Sequence, residues 1–202
     1  PLPSNKPPLG SQVIVERDGA RMQTSGYRVE FMSAAAQAPT RVLVPDAHGG
    51  LQDAPAHDAK APIDCLIVAT KADATLSALR RFLPRITPAT TVVLVQNGMG
   101  VLDTLLEQYW RTPKSRPNVI LASATHGCFL KRPLHTVHAA FGAIHFGILP
   151  SARGGAHGFE RAVYAEDGAP VSLDVSAIPD QPETRTLRET VALLLALPLD
   201  VH

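Results

Sequence analysis

Three short polar stretches, each closing an apolar run, carry the residue types best suited to chemistry. Ala69-Thr70-Lys71 closes "IDCLIVAT" (63–70), Gln96-Asn97-Gly98 closes "TTVVLVQ" (90–96), and Thr125-His126 closes "NVILASAT" (118–125). Lys71 offers a cation suited to phosphate or carboxylate. Asn97 offers both donors and acceptors. Gly98 and Gly100 let the backbone turn sharply and approach a ligand closely. The first two stretches also have a plainer reading. A lysine after a strand serves as a solvated surface residue, and Asn-Gly serves as a turn. Three polar stretches in succession favour a shared ligand site.

The elements that must position them follow from hydrophobic spacing. The three apolar runs suit parallel strands buried on both faces. "KADATLSALRRFLPRI" (71–86) places Leu76, Leu79, Phe82 and Leu83 at helical spacing, and "GVLDTLLEQYW" (100–110) places Leu102, Leu105, Leu106 and Tyr109 on one face. Strand–helix–strand–helix–strand predicts an α/β fold with a parallel, helix-covered sheet. Such sheets bind ligands at the carboxyl ends of their strands, so the three polar exits should face one crevice. The helix starts beside them add positive dipole ends. Asp73 and Asp103 fall in first helical turns, where an acid complements that dipole.

Around this centre the chain reads less regularly. "QVIVER" (12–17) and "YRVEFMS" (27–33) predict strands, with a hairpin turn at Asp18-Gly19. Residues 34–61 are rich in Ala, Pro, Gly, Asp and His and predict a long loop. "HGCFLKR", "LHTVHAA" and "AIHFGIL" predict short strands joined by turns at Pro133 and Gly142. Residues 151–183 read as an inserted loop with a short hairpin around Asp167-Gly168, and "TRTLRETVALLLAL" (184–197) as an amphipathic helix. The expected organisation is a linker over 1–11, a Rossmann-like domain over 12–150, the insertion over 151–183 and a helix over 184–202.

Composition excludes several classes. Of 202 residues, 45% are hydrophobic and 18% charged, enough for a folded core. A net charge of +1 gives no reason to expect nucleic acid or an anionic membrane surface. No apolar run approaches the ~20 residues of a membrane span, and the first residues lack a secretory pattern. Cys65 and Cys128 each sit inside an apolar segment, form no metal-type pair, and are expected in the core of a cytoplasmic protein. His126, His135, His138 and His145 lie on separate short strands, a spacing that does not call for a metal.

The ordered set "LIVATKADAT", "LVQNGMGVLDTL" and "ASATHGCFLKRPLHTVHAAFGAIHFG" resembles the ketopantoate reductase (2-dehydropantoate 2-reductase) family, and fungal members in particular. The resemblance covers roughly residues 12–150. It implies a Rossmann-type domain that binds NADP(H), followed by a helical domain. The implied reaction is hydride transfer from NADPH to the ketone of 2-dehydropantoate, or of a related small 2-oxo acid. By this resemblance Lys71, Asn97, Gly98 and Cys128 bind cofactor, Asn97 also meets substrate, and His126 shapes the pocket wall. The family's G-x-G-x-x-G loop and its catalytic lysine have no counterpart in these residues, so no catalytic residue is assigned. The implied first strand, glycine-rich loop and helical domain would lie outside this sequence. The expectation is a partial reductase of low activity, or a non-catalytic relative serving as a binding module.

Overall fold

The computed structural model describes residues 13–24, 29–31, 41–45, 51–53, 61–98, 100–150, 175–196 and 200–201. In chain order the first five strands are β1 (Val13–Arg17), β2 (Ala20–Thr24), β3 (Val29–Phe31), β4 (Arg41–Pro45) and β5 (Leu51–Asp53). The central run is β6 (Cys65–Val68), α1 (Ala72–Arg80), β7 (Thr91–Val95), α2 (Val101–Gln108) and β8 (Asn118–Ala124). Then come β9 (Gly127–Arg132), β10 (His135–Ala140), β11 (Ala143–Ile148), α3 (Arg185–Ala196) and β12 (Asp200–Val201). The fold is mixed α/β, as the sequence predicts. The linker over 1–11 and the hairpin at Asp167-Gly168 fall outside the described residues.

The chain forms two compact units: Pro1–Ala59 with His126–Phe141, and Lys60–Thr125 with Gly142–His202. Residues 12–150, read from sequence as one domain, contribute to both. The first unit holds a four-stranded sheet in the order β2-β1-β10-β9 and an antiparallel sheet β3-β4-β5. β1 and β2 form the predicted hairpin, with Asp18 and Gly19 both at positive φ (48° and 76°). β4 and β5 lie in the stretch expected to be a loop; the apolar run in "RVLVP" was too short to stand out among its prolines and alanines. Across β1, β9 and β10, Glu16 meets His135 at 2.9 Å and Lys131 at 2.9 Å. The Lys131 hydrogen bond, followed by the weaker pull of His135, holds the Glu16 carboxyl below its ordinary value.

The second unit holds the site. Its sheet runs β12-β11-β8-β7-β6, with β6, β7 and β8 parallel and β11 antiparallel to β8. β12, parallel to β11, forms that edge of the sheet. β7 is the centre of the core. Val92 and Leu94 pack with Leu79 of α1 and Leu105 of α2, while Val93 points the other way, to Leu187 and Val191 of α3. That two-sided burial explains why "TVVLV" is apolar without alternation. Each of Val92, Val93, Leu94 and Leu105 is at most 1% exposed.

Both cysteines are exposed, against the expectation that they lie in the core. β6 is an edge strand, and α3 packs over β7 and β8. The β6 face carrying Cys65 and Ile67 is therefore only grazed by α3, whose Thr190 hydroxyl donates to Cys65 Sγ at 3.5 Å, and Ile67 is 59% exposed. Cys128 lies on β9, the edge of the other sheet, whose side chains are almost all exposed.

Candidate functional site

The carboxyl ends of β6, β7 and β8 border a crevice of about 410 Å³, within the usual range for small-ligand clefts. It is lined by residues 69–72 after β6, Val95 at the end of β7 with residues 96–98 after it, and Ala124 at the end of β8. Parallel register brings these together. Val68 pairs with Leu94 and Val95 with Ala122, so β6 and β7 end within one residue of each other and β8 runs on to Ala124. The first two exits touch: a Cβ on Gly98 would lie 2.6 Å from the Ala72 Cβ, closer than any side chain tolerates. Gly98 is thus required for the second exit to pack against the start of α1. Gly100 then turns the chain into α2 at φ 84°, a left-handed conformation that favours glycine.

Asn97 is fixed by β8. Its Nδ2 donates to the Ala124 carbonyl at 2.9 Å, and its Oδ1 accepts from the Ala124 amide at 3.2 Å and from Ser123 Oγ at 3.1 Å. Both lone pairs of Oδ1 are then used, and one N–H of the carboxamide is left to meet a ligand. Lys71 is exposed at the N-cap of α1, and among the described residues its ammonium forms no ion pair. The starts of α1 and α2 follow the exits of β6 and β7, so both positive helix ends lie at this end of the sheet. These donors are one exposed cation, one spare amide N–H and two helix starts. This suits an anionic, oxygen-rich ligand.

The structure unites Lys71, Asn97 and Gly98 within the second unit. Cys128 lies on β9 in the first unit, opposite His138, and is not among the lining residues. His126 also belongs to the first unit, where its Nδ1 lies 3.0 Å from His138 Nε2. Among the described residues no group of three potential metal ligands assembles. The third exit therefore contributes Ala124, with Thr125 fastened to Ala143 by Ala143 N–H to Thr125 Oγ1 at 2.9 Å.

Sequence reasoning missed Thr75, and it placed Gln96 at the second exit without giving its side chain a role. Thr75 is fully buried beneath the crevice, with its hydroxyl 2.7 Å from Gln96 Oε1 and 3.0 Å from the Thr70 hydroxyl. The available signal was a threonine four residues before Leu79, on the helical face that enters the core.

Comparisons with known proteins point to one family. The profile described as "Ketopantoate reductase PanE/ApbA" matches residues 11–151. A probable 2-dehydropantoate 2-reductase of Schizosaccharomyces pombe is 33% identical over 88 residues, 44% of this chain and 25% of that protein. The 2-dehydropantoate 2-reductase of Saccharomyces cerevisiae is 36% identical over 91 residues, 45% of this chain and 24% of that protein. Among solved structures, a probable 2-dehydropantoate 2-reductase of Bacillus subtilis aligns with 17% identity and a TM-score of 0.45, over 70% of this chain and 37% of that one. The chain spans about a quarter of the length of the two yeast relatives. With more than half of its residues matched by the family profile, the chain belongs to the ketopantoate reductase PanE/ApbA family.

Proposed function

We propose that this chain forms the nicotinamide-side part of an NADP(H) site, in a reductase acting on 2-dehydropantoate or a related small 2-oxo acid. The observation that carries the reading is the convergence of Lys71, Asn97 and Gly98 on one crevice at the carboxyl ends of parallel strands. Family membership supplies the reaction class, and the names of the yeast relatives supply the substrate class. A bound reduced nicotinamide supplies a hydride to a ketone carbon. The residues of this chain bind and orient. Lys71 neutralises a phosphate or carboxylate oxygen. Asn97 donates its remaining N–H while β8 holds it still. Gly98 keeps the floor of the crevice free of a side chain.

Reduction also needs a proton donor at the new alkoxide, typically worth ~10²–10⁴-fold. Among the described residues, Lys71 is the one ionisable side chain lining the crevice. On this reading the 202-residue chain binds cofactor and turns over slowly or not at all by itself. The test is a fluorescence titration of the purified chain with NADPH, and with NADH as control. Saturable binding that favours NADPH supports the reading. A folded chain that binds neither nucleotide refutes it. Binding without any oxidation of NADPH in the presence of 2-dehydropantoate assigns the chain a binding role.

A further inference from the structure

Thr75 sits where packing alone does not require a hydroxyl. It is 0% exposed, on the face of α1 that also buries Leu79. Its Oγ1 lies 2.7 Å from Gln96 Oε1, 3.0 Å from the Thr70 hydroxyl and 3.0 Å from the Lys71 carbonyl. A hydroxyl has one proton to give and two lone pairs to receive. Gln96 Oε1 and the Lys71 carbonyl can only accept, so they share the single Thr75 proton, with Gln96 Oε1 the nearer, and the Thr70 hydroxyl donates to Thr75. One buried side chain thereby links the exits of β6 and β7, the two segments that supply most of the crevice lining.

The consequence lies in the amide. A glutamine carboxamide has an acceptor end and a donor end, and which end faces a ligand decides what it recognises. Here Thr75 holds the acceptor end inward. We propose that Thr75 is a positioning residue that turns the Gln96 carboxamide so that its N–H groups face the crevice, and that Gln96 donates there to an acceptor oxygen of the bound dinucleotide. The contact with the dinucleotide rests on reading the crevice as an NADP(H) site. The orientation of Gln96 does not. Thr75 touches no ligand itself; it acts through Gln96.

Two measurements separate these parts. In the ¹⁵N-labelled chain without nucleotide, the Gln96 side-chain amide signals report its anchoring. Thr75→Val should set that carboxamide free, with faster amide motion and a shifted resonance, and Thr75→Ser should leave both unchanged. Unchanged signals in Thr75→Val overturn the positioning role. In NADPH titrations, Gln96→Met keeps the shape and removes the donors, and should weaken binding about tenfold. Thr75→Val should weaken it by a similar factor, Thr75→Ser by less than about twofold, and the double variant Thr75→Val/Gln96→Met no more than Gln96→Met alone. A purely structural Thr75 would lower the thermal midpoint and leave the NADPH dissociation constant in place. Gln96→Met, at the partly exposed end of the pair, keeps the test open if Thr75→Val does not fold. Unchanged affinity in Gln96→Met overturns the contact. A native chain that binds no NADPH overturns the contact together with the NADP(H) reading, while the amide signals still decide the orientation.

Discussion

The Asn97 carboxamide pairs with both backbone groups of Ala124, donating to its carbonyl at 2.9 Å and accepting from its amide at 3.2 Å. A side chain thus continues the β7–β8 ladder past the point where the β7 backbone turns away. The residue chosen from sequence as a ligand contact is also a clasp that sets the height of the third exit.

Removing that clasp should be felt without any ligand. Asn97→Ala loses three hydrogen bonds at an exposed position, at a net cost of about 1–2 kcal/mol. Asn97→Asp keeps the acceptors and loses the donor, turning a carboxylate toward the Ala124 carbonyl. Both variants should show a lower midpoint in urea denaturation, and a stability equal to that of the native chain in both would show the clasp to be unimportant.

The contact between Gly98 and Ala72 gives a reciprocal test. Gly98→Ala brings two Cβ atoms to 2.6 Å and should destabilise by ~1–3 kcal/mol unless one exit moves. Ala72→Gly in the same chain removes the opposing Cβ and should recover much of that loss. Additive effects in the double variant would contradict direct contact.

Lys71→Ala should weaken NADPH binding by about five- to tenfold at low ionic strength, because a charged hydrogen bond is lost. The native chain should lose affinity as salt rises, and its advantage over Lys71→Ala should shrink near roughly 1 M salt, where charges are screened within a few ångströms. Equal affinities of the two chains at low salt would remove Lys71 from the site.

Glu16 makes an acid-limb prediction for the first unit. Its hydrogen bond to Lys131 lowers the folded-state value below the ordinary 4.5. A depressed carboxylate contributes stability that is fully present above the unfolded value and is lost as pH falls through the folded one. Thermal midpoints should therefore fall as pH is lowered from about 4.5, and Glu16→Gln should flatten that fall while lowering the midpoint at neutral pH. Identical pH profiles for the two chains would argue against the Glu16–Lys131 pair.

Both thiols should react with a water-soluble thiol reagent in the folded chain, because Cys65 and Cys128 are exposed. Two equivalents per chain without denaturant is the expected result, falling to one in Cys65→Ser and in Cys128→Ser. A count of zero would restore the core placement that the apolar flanks of these cysteines suggested.

Local pattern carried most of the second unit. The apolar runs before Lys71, Asn97 and Thr125 became β6, β7 and β8, and the 3.6-residue spacing of Leu76 and Leu79 and of Leu102 and Leu105 became α1 and α2. From those elements alone, chain order put the first two polar exits at one end of one sheet. This much is readable because burial on a strand or helix repeats with the period of the element itself.

Tertiary structure decided what no local period encodes. Which strand ends at an edge is a matter of pairing between distant segments, so the exposure of Cys65 and the placement of Cys128 with His138 were invisible in their apolar neighbourhoods. Ile14 pairs with His135 across most of the chain, which is why β9 and β10 joined β1 and not the sheet of β8. Hydrogen-bond capacity is likewise assigned only when groups meet. Asn97 looked like an open amide until Ala124 and Ser123 took its acceptor, and Thr75 looked like a helix residue until folding buried its hydroxyl against Gln96. Sequence names the groups present; their remaining donors and acceptors are fixed by long-range contacts.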